Sequence, residues 1–392
     1  MTSPPRRDES AVRSVRLLHV VENLNDQAVE SWLLRILGRA RTDYPQFHWT
    51  FYCALGKPGR GDSRARELGA EVIQSPVSLR ETLSFVRELR LTIARGRYDV
   101  LHAHHDIVSA VYLTASMRTG IRQRIVHIHN TSMSLPTPSA LKQAIVREPM
   151  RQICLHLADK RVGISRDALR SMIGNRKPRE GRDIVVYYGI DTARFDVPPA
   201  VVSDLRQTMD PDGSSRIILF AGRMTEYKNP QFALLVAREL LSRGTSVVLA
   251  FAGVGPEEQA VRALADKLGI GSNVKLLGFR DDLPQLMLAS DMLIWPGQEE
   301  PREGLGLGII EAQAAGLPIL MSRSVPEDAI EIEDIVTVMP LAQGVAGWSD
   351  AAERILSGKR PDRHRCRAAI EASRFSLEAG TRNIMQLYDT AD

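Results

Sequence analysis

Cysteine is scarce: Cys53, Cys154 and Cys366 are the only three in 392 residues. They are far apart and odd in number, which excludes a disulfide framework and a cysteine zinc site and leaves reduced, buried thiols as the expectation. Long apolar runs are missing too, since none approaches the roughly 20 residues that a membrane span needs. The start, MTSPPRRDES, sets no apolar segment behind its charges, so no signal peptide is expected and the reading is a cytoplasmic protein. Excess charge is small: 51 Lys and Arg against 47 Asp and Glu give +4, too little to argue for nucleic acid. No G-x-G-x-x-G follows the first strand-like run, which speaks against a nicotinamide enzyme. Short-period repeats are absent, and the only biased stretch is the polar first dozen residues.

What is present is an ordinary globular composition, 44% hydrophobic and 25% charged, on a chain long enough for two domains. Short β-rich runs at 15–21, 47–55, 98–103, 124–129, 161–165 and 183–189 alternate with helical patterns such as 80–95 and 107–118. That alternation predicts a parallel sheet covered by helices. A polar, proline-bearing interruption at 190–215 reads as a linker. A second set follows at 216–222, 246–253, 273–278, 291–297, 317–322 and 335–339. The expected organisation is a disordered 1–13, a first α/β domain over 14–189, the linker 190–215, a second doubly wound domain over 216–375 and a closing segment 376–392. Two tandem domains of this kind face each other across a cleft.

In such sheets ligands bind beyond the carboxyl ends of the strands, where loops run into helix N-termini with free N–H groups. FAGRMTEYKNP (220–230) leaves a strand and enters a helix with Pro230 first, so Arg223 and Lys228 flank a helix entrance and suit a diphosphate. AGVGPEE (252–258) offers Gly253 and Gly255 for close backbone approach. EGLGLGIIEAQAAGLP (303–318) places Glu303 before a helix that closes at Gly316, and Glu311 well inside it. The glycine-rich residues between them form the helix entrance, where amides meet an anion. The two carboxylates would then hold the two ends of one ligand, with hydroxyls at each end and phosphates between.

EGLGLGIIEAQAAGLP, after GRMTEYKNP, AGVGP and LLGFRDDLPQLMLASD in that order, resembles the second domain of retaining family-4 glycosyltransferases of GT-B fold. The likeness is closest to capsular and exopolysaccharide enzymes. HVVENLN, YDVLHAHH, HIHNT and YYGIDTARF stand in the order that the family's first domain shows. The resemblance implies that Arg223 and Lys228 hold the donor diphosphate, that Glu311 takes the ribose hydroxyls, and that Glu303 sits by the transferred sugar near its anomeric carbon. It further implies Gly255 and the backbone of Leu305, Gly306 and Leu307 at phosphate or sugar oxygens, and the segment around Arg280 at the base. His129 would be catalytic beside the donor sugar, with Asn25, His104 and Asn130 on the acceptor side. The closing helix 376–390 would cross back onto the first domain. No cofactor and no metal are implied; the donor is a nucleotide diphosphate sugar.

Several positions depart from the family pattern. ENLNDQAVE (22–30) stands where the family has paired glycines, which removes the basis for a phosphate contact from that loop. Val254 replaces an aspartate, Tyr188 an asparagine, and EEPR (299–302) reads as an insertion. These point to a different choice of sugar or acceptor. His102, His104, His127 and His129 fall by alternation on shared strand faces, where with His105 they could bind a metal. The single Asp-x-Asp, residues 210–212, lies in the linker, against a metal-dependent nucleotide-sugar site.

The expected activity is transfer from a nucleotide diphosphate sugar, UDP-linked, to a glycan or lipid-linked acceptor in polysaccharide biosynthesis, with retention. The alternatives are a nucleotide-sugar epimerase or hydrolase of the same fold, and a non-catalytic nucleotide-sugar-binding partner of another transferase. From Lys142 to Arg182 eleven basic residues face only four acidic ones. With Ile145, Ile153, Leu155 and Leu157 as an apolar face, that segment predicts a peripheral contact with an anionic membrane at its inner side.

Overall fold

The computed structural model describes residues 14–25, 28–131 and 140–389. The expected disordered stretch 1–13 lies outside them. The first sheet is built from β1 (Val15–Val21), β2 (Phe47–Cys53), β3 (Glu71–Gln74), β4 (Val100–Ala103), β5 (Gln123–Ile128), β6 (Lys160–Gly163) and β7 (Asp183–Val185), all parallel, in the order β3-β2-β1-β4-β5-β6-β7. The second comprises β8 (Arg216–Ala221), β9 (Val247–Ala252), β10 (Val274–Leu276), β11 (Met292–Trp295), β12 (Ile319–Met321) and β13 (Val336–Val338), ordered β10-β9-β8-β11-β12-β13. The fold is the expected α/β GT-B arrangement of two Rossmann-like domains.

Central strands are apolar along their whole length because helices cover both faces: all six residues of β9 and all four of β11 are buried. The six strands expected in the second domain all form. In the first domain β3 is additional; its sequence, EVIQ, is only half-buried at a sheet edge and carries no apolar run to announce it. Both sheets reverse direction beside their first strand, between β1 and β4 and between β8 and β11. These two reversals are the crevices where loops diverge and a ligand can enter.

Within 190–215, the stretch read as a linker, Pro199–Met209 is a helix that packs on the Leu283–Ala289 helix of the second domain. The final helix, Leu377–Tyr388, packs on Ala28–Asp43 of the first domain, and Ile190 bridges to Ser376 where the chain crosses back. Residues 390–392 lie outside the described ones. Cys53, Cys154 and Cys366 are free and buried. Among the described residues no helix is long and apolar enough to cross a membrane.

Candidate active site

A cleft of about 1980 Å³ lies between the carboxyl ends of the two sheets, lined from both domains. On the second domain, the loop after β8 carries Arg223 and Lys228. The Lys228 ammonium donates to both carboxylate oxygens of Glu303 at 3.2 Å, and Trp295 Nε1 donates to Glu303 Oε1 at 2.7 Å. Lys228 also lies 4.0 Å above the Trp295 ring. These contacts fix the lysine and the glutamate in one orientation. Arg223 is exposed to the cleft and makes no ion pair among the described residues, so its charge is available to an anion.

The backbone of Leu305 and Gly306 leads into the Leu307–Ala314 helix, with Gly306 at φ 78° as its cap. The first amides of this helix have no partner within it and open on the cleft beside Glu303. Inside the helix, Glu311 is buried and faces Arg194 at 3.9 Å. Burial pushes its carboxyl up, against the lowering pull of Arg35 and Arg194. Glu303 and Glu311 therefore stand on either side of the helix entrance, as their spacing predicts. Arg280 also lines the cleft, held by a two-pronged bond to Asp282 at 2.5 and 2.7 Å.

Gly255 is placed differently. A Cβ there would meet Met224 O at 2.2 Å, and one at Gly253 would meet Gly222 O at 2.0 Å. Both glycines are demanded by the packing of the β9 loop on the β8 loop. Gly253 and Val254 line the cleft, whereas Gly255 is not among its lining residues. Gly304 has an analogous reason: a Cβ would lie 2.0 Å from His129 O, so glycine lets this loop close onto the first domain. Next to it, Thr131 Oγ1 donates to Arg302 O, and Arg302 pairs with Asp167 at 2.6 Å. The apparent insertion 299–302 thus carries a cross-domain contact.

On the first domain Asn25, His104, His129 and Asn130 all reach the cleft. The histidines form one hydrogen-bonded row. Tyr188 Oη meets His129 Nδ1 at 2.5 Å, His129 Nε2 meets His104 Nδ1 at 3.2 Å, and His104 Nε2 meets His19 Nδ1 at 3.0 Å. Tyr388 Oη lies 3.5 Å from His19 Nε2 and 2.7 Å from His102 Nδ1, and His102 Nε2 meets His127 Nδ1 at 3.1 Å. Only His127 Nε2, at the end of the row, lacks a partner. Burial holds all five imidazoles well below their usual pKa, to about 3 at His19 and His129. Each neutral ring offers one donor and one acceptor nitrogen, and every one but His127 uses both, so the tautomers are coupled along the row. Two triples, His19–His102–His104 and His104–His127–His129, hold nitrogens within 4.8 Å, but a metal there would compete with these bonds. His129 lines the cleft with both ring nitrogens engaged; a role through its ring requires one of those bonds to break.

Residues that the sequence reading missed include Glu30, Arg35, Arg194, Tyr227, Phe279 and Trp295, all on the cleft wall. Phe279, half-exposed and next to Arg280, was the one with a local signal: an aromatic exposed beside a segment expected to meet a base.

The model for glycosyl transferases group 1 matches residues 202–372, and that for glycosyltransferase family 4 matches residues 18–194. Between them they span most of the chain, which belongs to this family of two-domain glycosyltransferases. The chain is 26% identical over 377 residues to EpsF of Bacillus subtilis, a candidate glycosyltransferase, covering 95% of this chain and 96% of that one. It is 28% identical to a D-inositol 3-phosphate glycosyltransferase of Nocardia farcinica, covering 76% and 67%. Among solved structures, Anabaena HepE in complex with UDP and glucose superposes with a TM-score of 0.75 at 19% identity, over 96% of this chain and 100% of that one.

Proposed function

We propose that this glycosyltransferase moves a sugar from a UDP-linked donor to a hydroxyl of a glycan or lipid-linked acceptor in polysaccharide biosynthesis, with retention at the anomeric carbon and without a metal. The observation that carries the reading is the set Arg223, Lys228 and Glu303 around the entrance of the Leu307–Ala314 helix, with Glu311 further along it. Departure of the nucleotide diphosphate is the step in which negative charge grows on the leaving oxygen. Fixed cations and helix amides aimed at that oxygen stabilise it without reorganising. Arg223, Lys228 and the helix entrance supply these groups, so no divalent ion is needed for charge. Glu303 lies on the side where the sugar would hang from the diphosphate, and Glu311 lies where a ribose diol could replace Arg194. Phe279 and Arg280 frame the base. The UDP choice is supported by the HepE complex, and the polysaccharide role by the full-length likeness to EpsF. The membrane face on the first domain fits an acceptor carried by a lipid at the inner surface of an anionic membrane.

A thermal-shift series over UDP, GDP, ADP and their sugars tests the donor. A ligand at 100 times its dissociation constant stabilises by about 2.7 kcal/mol, so UDP should raise the melting temperature well above the others. Equal or absent shifts would remove the reading. UDP release that depends on acceptor separates a transferase from an epimerase or hydrolase, and binding with no turnover would mark a non-catalytic partner.

A further inference from the structure

The loop that carries Glu303 is gripped from the other domain on both sides of that residue. Before it, Thr131 Oγ1 donates to Arg302 O, and the Arg302 guanidinium pairs with Asp167 at 2.6 Å. After it, Ser165 Oγ donates to Gly304 O at 2.6 Å, and Gly304 lies so close to His129 O that no Cβ fits between them. Among the described residues, Glu303 itself is bound within its own domain: its amide donates to Ser324 O at 2.7 Å, and its carboxylate meets Lys228 and Trp295. The backbone on either side of Glu303 thus belongs to the domain interface, and the side chain between belongs to the cleft.

The grip comes from one braced unit of the first domain. Ser165 caps the Arg166–Ile173 helix by accepting from Ala168 N at 3.0 Å, which leaves its hydroxyl proton for Gly304, and Asp167 stands in the first turn of the same helix. Thr131 follows β5, where Asp106 accepts from His129 N and from Asn130 Nδ2 at 2.7 Å each. Ser171 of the helix donates to Asn130 O at 3.2 Å and ties the two pieces together. The Arg302–Asp167 pair is about one-third exposed, so it adds little to folding. Its effect on geometry is larger, because a catalytic group misplaced by about 1 Å costs on the order of 10²-fold in rate.

We propose that Asp167, Ser165 and Thr131 are positioning residues for Glu303: from the first domain they fix the backbone on both sides of it, so that Glu303 takes its place beside the transferred sugar only while the domains are in contact. The assignment rests on the reading of Glu303 as the group at the sugar end of the donor. Opening of the cleft, which donor entry and product release require, frees the flanks of Glu303 and leaves it to the second-domain contacts alone. Domain approach and assembly of the reacting groups become one event.

The test follows the loop and the chemistry separately in the full-length chain. Hydrogen exchange over 298–306, read by mass spectrometry with and without UDP, should quicken about tenfold in Arg302→Glu and in Asp167→Arg. The double variant restores the pair in reverse and should return to within about threefold of wild type. UDP release from UDP-glucose, UDP-galactose or UDP-N-acetylglucosamine, whichever the wild type turns over fastest, should fall about tenfold or more in kcat in each single variant and recover in the double. UDP affinity by calorimetry should stay within about twofold, and the melting temperature within about 3 °C. Wild-type exchange in both single variants, a double variant no better than the singles, or a loosened loop with unchanged kcat would overturn the proposal. So would a UDP affinity that falls as far as kcat, which marks a general loss of the interface. If the charge variants do not fold, Thr131→Val, which removes only the donor to Arg302 O, takes their place under the same criteria; if none of the donors is turned over, the exchange arm decides. Failure of the donor reading is distinguishable, because the wild type then shows no UDP-dependent stabilisation while exchange in the loop still answers to the charge swap.

Discussion

Glu303 and Lys228 sit 3.2 Å apart at 11% side-chain exposure each, so the charge of either sets the field felt by a phosphate. Were Glu303 a simple part of nucleotide binding, neutralising it would weaken UDP. In this geometry it does the reverse: Lys228 loses its partner and keeps its place over Trp295, leaving more positive potential for the diphosphate. Glu303→Gln should therefore bind UDP as well as wild type or better while losing about 10²-fold or more in transfer. Glu311→Ala leaves Arg35 and Arg194 without their counter-charge and removes the acceptor for ribose hydroxyls. UDP affinity should fall about tenfold, close to 1.4 kcal/mol, with transfer following it. Calorimetry on the two variants decides; equal losses of UDP affinity would refute the division. The places of these glutamates on the cleft were legible because each lies within one contiguous motif. Arg35, Arg194 and Glu30 were not, because their place on the cleft follows from how a helix, the interdomain crossing and a facing domain are brought together. No local pattern of residues encodes that.

Among elements, strands were read well where both faces are buried and poorly where one is open, which is why β3 escaped. Helices carry the larger surprises. The basic segment 142–182 was expected to present Ile145, Ile153, Leu155 and Leu157 together. In the Ala140–Leu157 helix Ile145, Val146 and Ile153 are exposed, whereas Leu155 is buried and Leu157 packs on the core. The correction has a simple cause: the helix must spend that side on packing against the Ser109–Ala115 helix and the turn Asp106–Val108 before it. Several of the basic residues are likewise spent internally. Arg161 is buried against Asp183 at 2.5 Å, Arg151 binds Glu148 and Met172 O, and Arg182 caps carbonyls of Ala158 and Asp159. Arg166 pairs with Asp328 at 3.4 Å, and what remains outward is Arg170, Arg176, Lys177 and Arg179, in the same segment as three exposed apolar side chains. Each cation near an anionic surface contributes about 1 kcal/mol, fading within a Debye length. Sedimentation with vesicles should show binding to anionic but not neutral lipid, reduced by salt and about tenfold or more by charge reversal at Arg176, Lys177 and Arg179. No preference for anionic vesicles at low salt would end the proposal.

At the scale of the whole molecule, the histidine row ties the first sheet to the last helix, since Tyr388 bonds His102 and approaches His19. Five neutral imidazoles held in this way make folding sensitive to acid. Their folded pKa values lie below the unfolded 6.5, so the stability they contribute is present above that pH and is lost as pH falls beneath it. Between pH 7 and 5.5 each costs on the order of 1 kcal/mol, and the five together several. Glu30 acts in the opposite direction. Its carboxyl, pushed up to about 7, takes a proton in the folded state first and returns on the order of 1 kcal/mol over the same range. Asp106 and Glu311, also pushed up by burial, add to that side. The histidines outnumber them, and a loss of several kcal/mol is a large part of the roughly 5–15 kcal/mol that a folded domain has. Urea midpoints should therefore drop steeply from pH 7 to 5.5. His127→Phe offers a sharper test, because His127 Nε2 has no partner and its ring lies 5.5 Å from Trp32. The variant should remove close to one proton from the pH slope, about 1.4 kcal/mol per pH unit, against a constant cost of about 1–3 kcal/mol because His102 Nε2 loses its partner. A slope unchanged by His127→Phe would mean that the row titrates in the folded protein and that its burial does not set the acid limit.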